Sequence, residues 1–283
     1  MSGAASGTLP LGELVLLAAA ELAGDPAFGA TKLNKALFFS DLLHYKRHGT
    51  TITGSVYERL PRGPAPRDIV AVRQALIDAG DARLDHVGYL GYLQARLVPL
   101  RPPALSGFAA TELQLVRQVC AALAGHSHAN VLGWQLAAER EEIPPESIFL
   151  AAAPPARDDL ARGRAVAAER GLIGAPRPSG SRSPTELAAA GERALRQVAY
   201  EYPTADLRGR YPRAGEVFTG IEWALARWPD GAHRVPGTRL SVVRTEWPVP
   251  SLRAYFSLPG EGRCTVWAID EVPPYAEAED GSD

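Results

Sequence analysis

Leu and Ala crowd the stretch Leu11 to Leu22, and Gly24 with Pro26 closes it, which is the pattern of a buried helix. From Thr31 the apolar positions space out. Leu33, Leu37, Phe38 and Leu42 recur every three to four residues, so an amphipathic second helix is expected to run to Gly49. Val56 and Tyr57 predict a short extended piece before the turn Arg62-Gly63-Pro64. Pro66 then suits the first position of a third helix, with Ile69, Val72, Leu76 and Ile77 on its buried face. The runs Ala82–Val87 and Leu93–Leu100 bracket Gly88 and Gly91 and predict a β-hairpin. Thr111 is read as the cap-like opening of a helix to Leu123, with Glu112 following it. Asn130–Arg140 and Asp158–Arg170 are further helical stretches, separated by the break Ile143-Pro144-Pro145.

Gly174–Pro184 (GAPRPSGSRSP) has almost no apolar content and reads as a linker. Beyond it, Leu187–Tyr200 and Gly215–Trp228 predict helices, the second with Val217, Ile221 and Leu225 repeating every four residues. Three strands follow, Arg239–Glu246, Ser251–Leu258 and Arg263–Ile269, with a hairpin turn over Pro259–Gly262. The expected class is α+β. A mainly helical domain with a small hairpin fills residues 1–172, and a linker spans 173–185. Residues 186–283 form a small domain of helices packed on an antiparallel sheet, with an acidic tail from Ala276.

Composition narrows the function classes. With 46% hydrophobic and 22% charged residues and a net charge of −2, nothing global favours tight nucleic-acid or membrane binding. Cys120 and Cys264 are far apart, which excludes a disulfide framework or a zinc ribbon. The longest apolar run, Leu14–Ala20, is too short to span a bilayer, and no secretory signal is evident, so a cytoplasmic, non-membrane protein is expected. His44 and His48, with Asp41 three residues before the first, have helical spacing toward a metal. No further ligand joins them, so neither a metal nor a cofactor is expected. Phosphate-binding glycine loops and nucleophile elbows are absent.

One run is more specific. Lys32-Leu33-x-Lys35-x-Leu37-Phe38-Phe39-x-Asp41 is followed by Gly49, Ile52-Thr53, Tyr57 and Arg62-Gly63-Pro64, and further on by Ser127-His128, Trp134 and Ile143-Pro144. This order resembles the Panacea (SocA-like) antitoxin domain. The resemblance implies an antitoxin that binds a toxin, in the SocA-type case also delivering it to a protease. Burial preferences place Phe38, Phe39, Tyr57 and Trp134 in the core and Lys32 and Lys35 on a solvated or paired face.

The C-terminal part resembles the RelE/ParE toxin superfamily, through the helix from Gly215, the segment Val235–Leu240, the strand Leu252–Phe256 and a last strand Thr265–Ile269. That resemblance implies ribosome-dependent mRNA cleavage by Arg253, with Arg239 and Arg244 lining the same groove and Tyr275 as the aromatic group. Asp270 and Glu271 stand where the family often carries a basic residue, whereas a ParE-like toxin acting on DNA gyrase needs none there. Together the two resemblances imply a single-chain type II toxin–antitoxin fusion. Its N-terminal domain would neutralise a toxin domain in cis or in trans by protein–protein binding, in a homo-oligomer. An apolar face of the helical domain is expected to cover the groove near Arg253. Two other readings stand beside it: a non-enzymatic regulator with a degenerate toxin-like domain, and a DNA-binding autorepressor using the Ala82–Leu100 hairpin as a wing. The hairpin's lack of a Lys/Arg cluster argues against the last.

Overall fold

Helix α2 (Ala30–His48) sets the frame of the N-terminal half and stops at Gly49, whose φ of 76° is the left-handed cap that glycine adopts without a steric penalty. The computed structural model describes residues 8–89, 92–124, 139–150, 155–174, 196–201, 205–227, 233–245, 251–260 and 262–271. Around α2 lie α1 (Thr8–Glu21), β1 (Tyr57–Leu60), β2 (Gly63–Pro66), α3 (Ile69–Asp78), β3 (Ala82–Tyr89), β4 (Tyr92–Pro99) and α4 (Ala110–Leu123). Leu14, Val15, Leu16, Ala18 and Ala19 of α1 are all inaccessible, as expected of a helix that is apolar on every side. They share one core with Leu33 and Leu37 of α2, Val72 of α3 and Val116 and Cys120 of α4. Burial pushes the Cys120 thiol up to about 12.

The β1–β2 hairpin is where sequence reasoning needs correction. Pro66 does not open a helix. It pairs opposite Tyr57 at the end of β2, the Arg67 N–H donates to the Val56 carbonyl at 2.9 Å, and α3 begins at Ile69. Pro64 and Pro66 fit β2 because an edge strand needs no ladder donor on its outer side. The other side of β1 is taken by residues 140–143: the Arg59 N–H donates to the Glu141 carbonyl and the Ile143 N–H to the Tyr57 carbonyl. Thr111 is likewise not the cap of α4. The helix starts at Ala110, and the Glu112 carboxylate accepts the Ala109 N–H at 2.8 Å. The expected helix Asn130–Arg140, apart from its last residues, lies outside the described residues.

The chain forms two compact units, Met1–Pro145 and Glu146–Asp283. Their division precedes α5 (Arg157–Glu169), whereas the sequence placed it at the linker 173–185, which beyond Gly174 lies outside the described residues. The reason is packing: Val166 and Ala167 of α5 are buried with Val235, Leu240, Val242 and Tyr255 of the C-terminal half. The second unit continues with β5 (Gln197–Tyr200), α6 (Ala205–Arg210), α7 (Ala214–Arg227), β6 (Ser241–Arg244), β7 (Leu252–Gly260) and β8 (Arg263–Glu271). The sheet order is β5-β8-β7-β6, with β6, β7 and β8 antiparallel and β5 parallel to β8. The α+β class therefore holds, with a mixed sheet in place of a purely antiparallel one. Gln197–Tyr200, expected as a helix end, is a strand because Val198 and Tyr200 pair with Cys264 and Val266 of β8. Val217, Ile221 and Leu225 are buried on one side of α7, as their spacing predicts.

Candidate functional site

Asp41, on the fourth turn of α2, is fully buried and accepts four hydrogen bonds. The Ile52 N–H (2.8 Å) and Thr53 N–H (2.9 Å) reach one oxygen; the Thr53 hydroxyl and the Tyr57 hydroxyl (2.8 Å) reach the other. The segment after α2 is thereby wrapped onto the helix that precedes it. Burial raises the Asp41 carboxyl above its usual value despite these donors, and burial also raises the Tyr57 phenol. Phe38 packs edge-on against both Tyr57 (5.1 Å between ring centres) and Phe39 (5.8 Å). Phe38 and Tyr57 are thus core residues, and Phe39 is half-buried against the same core.

Lys32 and Lys35 are both buried, each 8% exposed. Lys32 is paired with Asp25, whose other oxygen accepts the Ala27 N–H at 2.8 Å and orders the turn before α2. The stem of Lys35 lies along the hairpin: a Cβ on Gly63 would come within 3.3 Å of Lys35 Cε. Gly63 also has φ of 138°, so the Arg62-Gly63-Pro64 turn requires glycine for two reasons. Burial, with Lys32 nearby as a lesser cause, holds the Lys35 ammonium below its usual value. Arg62 is exposed at the tip, and Pro64 is buried on β2. Trp134, Ser127 and His128 lie outside the described residues.

The imidazoles of His44 and His48 lie 4.6 Å apart, tilted by 40° to each other. The Nδ1 of His44 bonds the Thr50 carbonyl (2.6 Å), and Asp41 is committed to Thr53 and Tyr57. Among the described residues no group of three His, Cys, Asp or Glu side chains is placed to hold a metal.

In the second unit, Arg244 and Arg253 face each other across β6 and β7 in direct register. Between them sits Asp159 of α5, only 1% exposed, with one oxygen 3.1 Å from Arg244 Nη1 and the other 3.2 Å from Arg253 Nη1. Its Oδ2 also accepts the Ala156 N–H (2.8 Å), and its backbone carbonyl accepts the Tyr255 hydroxyl (2.9 Å). Arg253 Nε makes no hydrogen bond and lies 3.9 Å from Asp270. Arg239 is not part of this pair; its guanidinium donates to the Gly171 carbonyl at 2.6 Å. Tyr275 lies outside the described residues. Within the second unit, Arg253 is therefore covered by a carboxylate on α5. Sequence reasoning missed Asp159 because its partners lie 85 and 94 residues away. Its one local signal, an acid in the first turn of a helix, points only to capping.

Residues 33–130 match the family model described as Antitoxin SocA-like, Panacea domain. The match lies inside the first compact unit and takes in Asp41, Tyr57 and the Arg62-Gly63-Pro64 turn. No curated protein and no solved structure matches the chain. Over that stretch the chain is similar to antitoxin-like Panacea domains. Among the described residues no helix is long and apolar enough to cross a membrane.

Proposed function

We propose that the first unit neutralises a toxin by direct protein–protein binding, and that the second is a RelE/ParE-like domain whose arginine pair is silenced by Asp159. The observation that carries this reading is the single buried carboxylate bonded to both Arg244 and Arg253. An mRNA endonuclease needs its guanidiniums directed at a phosphate. Here both are already engaged with an anion of the same chain. The order of elements supports the RelE/ParE reading: α7 is followed by three antiparallel strands. The reading places the protein in the cytoplasm, in keeping with free, buried Cys120 and Cys264.

The same contact favours a second reading, in which the C-terminal unit is a non-enzymatic scaffold and the toxin is a separate chain reached in trans. α5 packs into the sheet through Gly163 as closely as a core helix does, so its carboxylate is part of the fold.

Inducible expression of residues 146–283, alone and with residues 1–145 supplied in trans, separates the two. Growth arrest relieved by residues 1–145 supports the fusion. Arrest that appears only with Asp159→Ala identifies Asp159 as the silencing group. Soluble, folded protein that never arrests growth removes the active-toxin reading and leaves the scaffold.

A further inference from the structure

We propose that the groove beside the Arg62-Gly63-Pro64 turn receives an extended segment of the partner protein that carries an acidic side chain next to an apolar one. The proposal rests on the antitoxin reading of the first unit and names the chemistry recognised there. The groove encloses about 310 Å³ between the start of α2, the β1–β2 turn and the start of α3. That is small for a ligand site and is the scale of a few neighbouring side chains of an extended segment.

Three features define the occupant. First, Arg62 on the turn and Arg73 on α3 line the groove, and among the described residues neither has an ion pair or hydrogen bond. Arg67, Arg83, Arg101 and Arg117 of the same unit each hold a carboxylate. Arg73 is in addition half-buried, and burial holds its guanidinium below the usual value with no acid to offset it. A partly dehydrated cation gains most from an anion brought to it. Second, Asn34 Oδ1, from α2, is buried and accepts no hydrogen bond, so it requires a donor. Third, Val70 is 66% exposed, with Leu60 and Ile69 beside it along the groove.

A peptide supplies all three groups: a carboxylate for the guanidiniums, a main-chain N–H for Asn34, and an apolar side chain for Val70. A nucleic-acid backbone supplies the anion and, in RNA, a 2′-OH donor, but no apolar side chain for Val70, which favours a protein segment. The placement also gives Arg62 a role that the packing of Gly63 and Pro64 does not.

The test is a displayed library of random heptapeptides sorted against the full chain, with the full-length Arg62→Gln/Arg73→Gln variant as counter-target. Neither arginine supports an internal bond, so the variant keeps its fold, which circular dichroism verifies. The enriched peptides are expected to pair Asp or Glu with an adjacent apolar residue. They should bind the double variant about tenfold or more weakly, the effect of losing charge-assisted hydrogen bonds. Val70→Ser should abolish the apolar preference and keep the acidic one. Enriched sequences without an acid, or equal binding to the double variant, overturn the proposal. So does a short fluorescein-labelled single-stranded RNA whose binding falls in the double variant while no acidic peptide is enriched. The sorting involves no toxin, so it judges the groove alone, while the growth assay judges the antitoxin reading.

Discussion

Tyr57 donates its phenolic hydrogen bond to Asp41 over 2.8 Å, joining β1 to a helix turn sixteen residues earlier. The bond is buried and ends on a carboxylate, so its loss should be measurable. Tyr57→Phe leaves the ring on Phe38 but removes one of Asp41's donors. Unfolding by urea should show the N-terminal unit destabilised by about 1.5–3 kcal/mol. A loss below a few tenths would mean that the bond contributes nothing to the fold.

Asp41 also makes a pH prediction. Its folded carboxyl titrates above the usual carboxylate value because it is buried. The folded state therefore binds this proton more tightly than the unfolded chain does. The stability this group contributes is fully present below the unfolded value and is lost as pH rises through the raised folded value. Compared with Asp41→Asn, the native chain should lose stability over a pH window that opens near the unfolded carboxylate value of about 4 and extends upward from it. A difference that stays constant across that window would contradict the assignment.

Asp159→Ala should take a buried carboxylate away from two largely buried guanidiniums and free the Ala156 N–H. Removing one partner of a buried ionic cluster costs about 3–5 kcal/mol. Denaturation of residues 146–283 reads the loss. Replacing both Arg244 and Arg253 by Met in the Asp159→Leu background should recover much of it, since well-packed apolar groups can replace a buried ionic cluster. No recovery would show that the hydrogen bond from the Ala156 N–H to the Asp159 carboxylate, and not its charge, stabilises α5.

Gly163 tests the contact of α5 with the sheet. An added Cβ would lie 2.7 Å from Val235 Cγ2 and 2.9 Å from Tyr255 Cε1, so the helix has to move off the sheet. Gly163→Ala should destabilise the second unit, overpacking of about 1–3 kcal/mol outweighing the gain of about 1 kcal/mol in helix propensity. Gly215→Ala, in α7 with nothing within 4 Å, is the control and should be neutral or stabilising. Equal effects in thermal unfolding at the two positions would refute the close approach.

Much of the first unit was legible. The three- to four-residue spacing of Leu33, Leu37, Phe38 and Leu42 marked α2, and Gly49 its end, because helix period and left-handed caps are local properties. The hairpin β3–β4 and helix α7 were legible for the same reason. Pro66 misled because a proline suits both a helix start and an edge strand. Only the ladder with Tyr57 separates the two. Gln197–Tyr200 misled similarly: a four-residue strand carries no periodic signal of its own, and its partner on β8 is distant in sequence.

Local order in the sequence thus determined which segments become helices and hairpins, and the run from Lys32 to Pro64 determined the resemblance to the Panacea domain. Tertiary structure alone decided what the charged residues do. It buried Asp41 under four donors, set Asp159 between Arg244 and Arg253, and moved α5 into the C-terminal unit. It also left Arg62 and Arg73 facing a groove without an acid. Pattern and spacing act over one or two turns of chain. Whether a charge is paired, buried or open depends on residues that only folding brings within a few ångströms.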